Sequence, residues 1–317
     1  MQLLLVGDPH VVPSELPDCW RLVDLVEQVL TTHPQARVCW LGDQHHTHGV
    51  IHLPVMQFWL QAFARLGGRD RNLALVGNHD QAGRDHVMDA YHGLCEVAYP
   101  RLELEDVALV SYQPSIEEFL SAAGAGKTLI CHQSIDGSRY ENGAYCHDAV
   151  KPEQIPFEQI ISGHIHSPQE FGKVWYPGAP RWRTLSDART QERAIWLVTF
   201  EGGRIVSRQP FITGQHCRPI RAGLDTPDDP LINIDAGADW RIEVRGPADY
   251  VRRRRAELAG PGRKLKSFVT DRAKIEVKES EGVERSLERF INAFTAPHGT
   301  PTVRIKTLVA QRLGIQV

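Results

Sequence analysis

The chain has 317 residues, 42% hydrophobic and 24% charged, with a formal net charge of -3 at pH 7. At roughly 150 residues per domain this is one large domain, or a large and a small one, able to bury a core without disulfide staples. The six cysteines (Cys19, Cys39, Cys95, Cys131, Cys146 and Cys217) form no Cys-x-x-Cys pair, which excludes a zinc knuckle and a disulfide framework and points to buried thiols in a reducing compartment. No apolar run approaches the roughly 20 residues of a membrane span, and Leu3 to Val6 is too short for a signal-peptide core. A soluble, cytoplasmic protein is expected, with no membrane partner.

In chain order, QLLLV predicts a strand that runs out into Gly7, Asp8 and His10. LPDCWRLVDLVEQVLTTH follows with Leu22, Leu25, Val26, Val29 and Leu30 at helical spacing and Pro34 beyond its end. RVCWL predicts a second strand, delivering Asp43. PVMQFWLQAFARL predicts a helix with Pro54 in its first turn and Gly67-Gly68 past its end. NLALV is a third strand, delivering Asn78, so that strand and helix alternate as in βαβ units around a parallel sheet. From about Leu102 the strands shorten: ELEDVALVSY, KTLICH, QIISGHIH, KVWYP, AIWLVTF and GRIVSRQPF. The expected fold is α/β, a two-sheet β-sandwich flanked by helices over residues 1–213. Residues 214–230, rich in Gly, Pro and Asp, read as a linker. Residues 231–317 read as a small C-terminal α+β capping domain: strands DWRIEVRG, KLKSFVT and AKIEVKE, helix PADYVRRRRAELAG, and two amphipathic helices carrying Val283, Leu287, Phe290, Ile291 and Phe294, then Ile305, Leu308, Val309 and Leu313.

Five of these apolar runs end in metal-capable side chains. They supply Asp8 and His10, Asp43, Asn78, His132, and His164 with His166. In open α/β sheets ligands bind beyond the carboxyl ends of the strands, so the seven residues are expected to converge. Two cations about 3.5–4 Å apart clamp the attacking and leaving oxygens of a phosphodiester. They need a shared anionic ligand, for which Asp43 is the natural bridge. One metal is assigned to Asp8, His10, Asp43 and His166, the other to Asp43, Asn78, His132 and His164. Mixed imidazole, carboxylate and amide donors suit Mn²⁺, Fe²⁺ or Zn²⁺. His79 is spare in the ligand count and is the candidate general acid, with Asp80 to orient its ring. His46, three residues after Asp43, is placed to face substrate. His45, His48 and His52 read as ordinary polar loop residues, and His147 as surface. GAGKT at Gly124 to Thr128 mimics the end of a phosphate-binding loop, but it follows a predicted helix and precedes a strand, the reverse of that motif's order.

Through GDPH, GDQHH, GNHD, CHQ and GHIH the chain resembles the calcineurin-like metallophosphoesterases over about residues 1–210. Within them it looks most like the SbcD-type DNA repair nucleases and their phage recombination-endonuclease relatives, through GNHD, His46 and YPGAP at Tyr176 to Pro180. Two positions depart from that branch: GDQHH stands for GDLFH, and Ala179 for the serine of YPGSP. The resemblance implies an Mn²⁺-dependent exo- and endonuclease of phosphodiester bonds, with His79 and His46 near the scissile phosphate. It also implies an SbcC-like coiled-coil ATPase partner and a homodimer.

Between residues 241 and 274, eleven basic side chains face four acidic ones, a local charge of +7 in a chain that is negative overall. Such a patch attracts a phosphate backbone, and Arg252, Arg253, Arg254, Arg255, Lys264 and Lys266 are the candidate DNA contacts. The competing enzyme class is a small-substrate metallophosphatase or cyclic-nucleotide phosphodiesterase, since fold and metals do not fix the substrate. A non-catalytic scaffold on the same fold predicts missing ligands, and the ligand set is complete.

Overall fold

The computed structural model describes residues 1–189 and 192–270. By Cα packing the chain divides into Met1–Phe268 and Val269–Val317. The AKIEVKE strand and the two amphipathic helices expected after it lie outside the described residues.

The strands are β1 (Gln2–Val6), β2 (Arg37–Trp40), β3 (Asn72–Leu75), the two-residue pair β4 (Gln81–Ala82) and β5 (Asp85–His86), β6 (Glu96–Ala98), β7 (Arg101–Leu104), β8 (Val107–Val110), β9 (Gly126–His132), β10 (Phe157–Gly163), β11 (Gln169–Phe171), β12 (Val174–Tyr176), β13 (Ala194–Glu201), β14 (Arg204–Ile212), β15 (Ile220–Asp225), β16 (Asp239–Gly246) and β17 (Arg263–Val269). The helices are α1 (Leu16–Thr32), α2 (Leu53–Arg65), α3 (Ile116–Ala123) and α4 (Ala248–Leu258). One sheet runs β14-β13-β1-β2-β3-β6 and the other β11-β12-β10-β9-β8-β7. In each, four neighbouring strands are parallel; antiparallel β13 and β14 close one edge of the first sheet, and antiparallel β11 and β7 close both edges of the second.

This is the expected two-sheet sandwich flanked by helices, and its layering follows from the run of apolar residues in the strands. Leu3 and Leu5 of β1 point between the sheets with Leu73, Leu109, Ile130 and Ile161. Leu4 and Val6 point the other way, under α1 and α2 with Leu22, Val26, Trp59 and Phe63. A strand buried on both faces must be apolar throughout, as parallel strands covered by helices are. On the far side Val110, Leu129 and Ile160 of the second sheet meet Phe119 of α3. Each fully buried side chain of this size contributes roughly 1.5–3 kcal/mol, so the core itself holds the strand ends in place. Helix α3 starts at Ser115, whose side chain accepts the Glu118 amide at 3.1 Å, and stops at Gly124, φ +69°. GAGKT thus runs from the end of α3 into β9, which takes up Gly126, Lys127 and Thr128. All six cysteines are buried and unpaired.

Residues 214–230 carry strand β15 where a linker without regular structure was expected. It pairs in parallel with β16, and β17 lies on the other side of β16. Helix α4 packs Val251 and Leu258 on this third sheet, over Trp240, Ile242 and Val244. No described helix is long and apolar enough to cross a membrane.

Candidate metal centre

The seven sequence-predicted ligands meet at one end of the two sheets. Asp8 and His10 follow β1, Asp43 follows β2, Asn78 follows β3, His132 ends β9, and His164 and His166 follow β10. Parallel pairing aligns these ends, with Gly163 directly opposite His132. The backbone turns sharply here. His10, Asp43 and His164 have φ of +43°, +54° and +83°, three of the five non-glycine residues at positive φ among those described. Such conformations cost on the order of 1–3 kcal/mol each and persist where the surroundings impose them. The glycine ahead of Asn78 is required by space: a Cβ on Gly77 would collide with the carboxylate and amide of Asp43.

Asp8, His10 and His166 bring their ligand atoms within 4.8 Å of one another, and Asp43, His132 and His164 do the same. In the first group His10 Nε2 stands 2.9 Å from His166 Nε2. Asp8 Oδ1 accepts the His164 amide at 2.6 Å, while Asp8 Oδ2 is buried with no hydrogen-bond partner. A buried orphan carboxylate oxygen beside two facing imidazole nitrogens fits a divalent cation. In the second group Asn78 Oδ1 lies 3.1 Å from His132 Nε2 and 2.9 Å from His164 Nδ1. His132 Nδ1 donates to the Leu41 carbonyl at 2.6 Å, so Nε2 is the atom left for a ligand. Between the groups sits Asp43, with Oδ2 3.3 Å from His10 Nε2 and Oδ1 3.4 Å from His132 Nε2. One carboxylate therefore presents one oxygen to each cluster.

Electrostatics agree with this division. Burial pushes the Asp43 carboxyl up, but His132 and His10 outweigh it and hold it well below the usual carboxylate range. Burial raises Asp8. It also lowers His10 well below an ordinary histidine and brings His164 to about 3, keeping both rings neutral and able to ligate. Burial would lower His132 too, yet Asp43 and Asp8 carry it up to about 9, so a cation entering there displaces a proton.

His79 lies beside the two groups. Its amide donates to Asp43 Oδ1 at 2.9 Å and its ring Nδ1 donates to the His46 carbonyl at 2.5 Å, which leaves Nε2 to exchange a proton. The expected orienting role of Asp80 is corrected by the structure. Its carboxylate is buried and accepts three backbone amides, from Gln44 at 3.2 Å, His45 at 2.9 Å and Gly77 at 3.0 Å, so it braces the Asn78 loop against the Asp43 loop. Burial and the nearby Asp43 raise its pKa to about 7. His46 is half-buried, with Nδ1 3.4 Å from His10 Nδ1 and 3.1 Å from Arg183 Nη1. It accepts the guanidinium proton there, which leaves Nε2–H as a donor.

Two loop histidines differ from expectation. His45 is buried, its Nε2 3.0 Å from the Tyr91 hydroxyl, and His48 stacks on the His79 ring at 3.9 Å. His147 is exposed, as expected. Several neighbours carry no motif. Arg183 is held by Glu15 at 3.1 Å, Glu141 accepts the His166 amide at 2.6 Å, and the Tyr112 ring stacks over His164. Buried Arg193 pairs with buried Asp187 at 2.9 Å and also donates to the His166 carbonyl. None of these side chains shows periodicity or a glycine partner that would mark it in the sequence.

Of the six candidate DNA contacts, Arg254 is corrected. It is bound to buried Asp225 at 2.7 Å, to Glu257 and to the Leu231 carbonyl, so it ties α4 to β15. Arg252, Arg253, Arg255, Lys264 and Lys266 are exposed.

No family model matches the sequence, and no curated protein matches it. Solved structures do align with it. A hypothetical protein from Thermus thermophilus is 16% identical, covering 67% of this chain and 98% of its own, with a TM-score of 0.39. The phosphoesterase Yfce from E. coli is 11% identical over 66% of this chain and 98% of its own, with a TM-score of 0.32. The calcineurin-like phosphoesterase YfkN from Bacillus subtilis is 12% identical over 67% of this chain and 90% of the other, with a TM-score of 0.36.

Proposed function

We propose that this chain is a two-metal phosphoesterase of the calcineurin-like kind, and that its substrate is the phosphodiester backbone of DNA. The observation that carries the reading is Asp43, whose two oxygens face two separate histidine clusters. Divalent ions held there, with Mn²⁺ the first choice, supply charge neutralisation at the phosphate and a water acidic enough to attack it. The chain's own groups do the rest. His79, anchored through Nδ1, gives the leaving oxygen its proton from Nε2. His46 donates from Nε2 to a phosphoryl oxygen, with Arg183 holding its Nδ1. Asp43, held ionised by His132 and His10, gives both clusters a shared anionic ligand.

DNA is favoured by what lies beside Arg183. A crevice of about 380 Å³ is lined by Arg21, Arg181 and Arg183 together with Arg218 and Arg241 of the third-sheet region, five arginines against the carboxylates of Glu15, Asp18 and Asp239. Exposed Arg252, Arg253, Arg255, Lys264 and Lys266 add to the basic surface of that region. The SbcD-type reading brings an SbcC-like ATPase and a homodimer as further proposals, and a cytoplasmic location. The second reading is a small-substrate phosphatase or cyclic-nucleotide phosphodiesterase, favoured by a metal centre that is complete without any residue of the third sheet. An Mn²⁺-dependent cleavage assay on end-labelled duplex and single-stranded DNA separates the two, run beside His79→Ser and a nitrophenyl phosphodiester. DNA products that vanish in the variant support the nuclease. Turnover of the small ester with DNA intact, in the presence and absence of a coiled-coil ATPase, supports the second reading.

A further inference from the structure

Beside His79, away from Arg183, lies a pocket of about 190 Å³ between the loop after β2 and the β4–β5 turn. Val50, Ile51, Ala82 and Val87 give it apolar walls, and His45, His79, His86, Asp80 and Asp85 are among its polar lining. Val50 and Ile51 are 54% and 52% exposed, unusual for aliphatic side chains beside a polar centre. No lysine or arginine lines the pocket, so it is not built for phosphate. It is smaller than the roughly 300–1,000 Å³ that receives a whole drug-sized ligand, and suits a single ring.

His86 adds the polar element. Its side chain is 7% exposed, its Nε2 faces Asp89 at 3.7 Å, and its Nδ1 is buried without a hydrogen-bond partner. The Tyr99 ring packs against it at 4.4 Å and fixes its plane. A buried unpartnered nitrogen in an apolar wall is a group that a ligand would satisfy, and apolar pockets with one or two placed polar atoms are the usual form of a specificity site.

We propose that this pocket receives the nucleobase flanking the scissile phosphate, stacked between Ile51 and the His79 side of the site, with His86 Nδ1 accepting a ring N–H. The inference rests on the phosphoesterase reading and deepens it: the enzyme selects nucleoside esters. His79 lines the pocket and adjoins the candidate metal centre, so a base held here brings the phosphate of its nucleotide up to that centre.

The test compares two esters that release the same nitrophenol, thymidine 5′-p-nitrophenyl phosphate and methyl p-nitrophenyl phosphate, with Mn²⁺ present. Thymidine binding to the metal-free protein is followed separately by saturation-transfer NMR. The wild type is expected to prefer the thymidine ester by about tenfold or more in kcat/KM. Ile51→Glu, at an exposed position that the fold tolerates, abolishes that preference and the thymidine signal while methyl-ester turnover is unchanged; His86→Leu weakens both in the same direction. Equal turnover of the two esters by the wild type overturns the pocket and leaves the phosphoesterase reading standing. If neither ester reacts, that reading falls, and thymidine binding decides the pocket: a signal lost in Ile51→Glu upholds it, and no signal in the wild type overturns it.

Discussion

At the scale of single residues, the centre is organised around one carboxylate. Asp43 faces both histidine clusters and also accepts the His79 amide, so Asp43→Asn is expected to weaken metal binding at both positions together. In the proposed mechanism His79→Ser removes a proton donor but no ligand. It should lower kcat by about 10²–10⁴-fold while calorimetric Mn²⁺ binding stays as in the wild type; loss of binding would place His79 among the ligands. Arg193→Met removes the guanidinium that faces buried Asp187 and should cost about 3–5 kcal/mol in denaturant unfolding. A cost near zero would mean that the Asp187 bonds to Arg183 and Thr184 satisfy the carboxylate by themselves. The seven candidate ligands were legible because each follows an apolar strand, four of them directly behind a glycine. Arg183, Glu141 and the Arg193–Asp187 pair were not, because a single charged residue in an irregular loop has no neighbour pattern to betray it. His45 and His48 sat in a histidine-rich run whose composition hid that one is buried against Tyr91 and the other stacks on His79.

Among the elements, legibility followed periodicity. Strand β1 could be read from QLLLV because both its faces are covered, and α1 and α2 from stripes that the core fills with Leu22, Val26, Phe58 and Phe63. Strand β15 was missed. Its exposed Arg221, Ala222 and Leu224 give no alternation, and the Pro and Asp residues after it look like a linker. What fixes it is a long-range pair, Asp225 with Arg254 of α4, supported by the Tyr250 hydroxyl at 2.7 Å. Burial raises the Asp225 carboxyl, but the Arg254 and Tyr250 hydrogen bonds outweigh it and bring its pKa below the ordinary 3.8. A carboxyl lowered by folding contributes stability that is present above its unfolded pKa and is lost as pH falls through the folded one. Asp225→Asn should therefore be less stable than the wild type by a constant margin from pH 7 down to about pH 4, with the gap closing below. A gap that persists undiminished at pH 2 would show that the carboxylate charge does not hold β15 to α4.

For the molecule as a whole, two sheets present their strand ends to one centre, and burying Asp8, Asp43 and Asp80 together costs stability that cations would return. Mn²⁺ at a hundred times its dissociation constant should stabilise the fold by about 2.7 kcal/mol per site, seen as a rise in Tm that chelator reverses. If the third sheet guides DNA, replacing Arg252, Arg253 and Arg255 by Glu should weaken binding and flatten its dependence on salt, whereas Arg254→Gln should act through stability instead. A salt dependence unchanged in the triple variant would remove α4 from the DNA path. The most direct test of the central claim is calorimetric titration of metal-free protein with Mn²⁺, wild type against Asp43→Asn. Two ions per wild-type chain, with both affinities reduced in the variant, is the predicted result; a single ion, or two bound equally well without the Asp43 carboxylate, would contradict a shared two-metal centre.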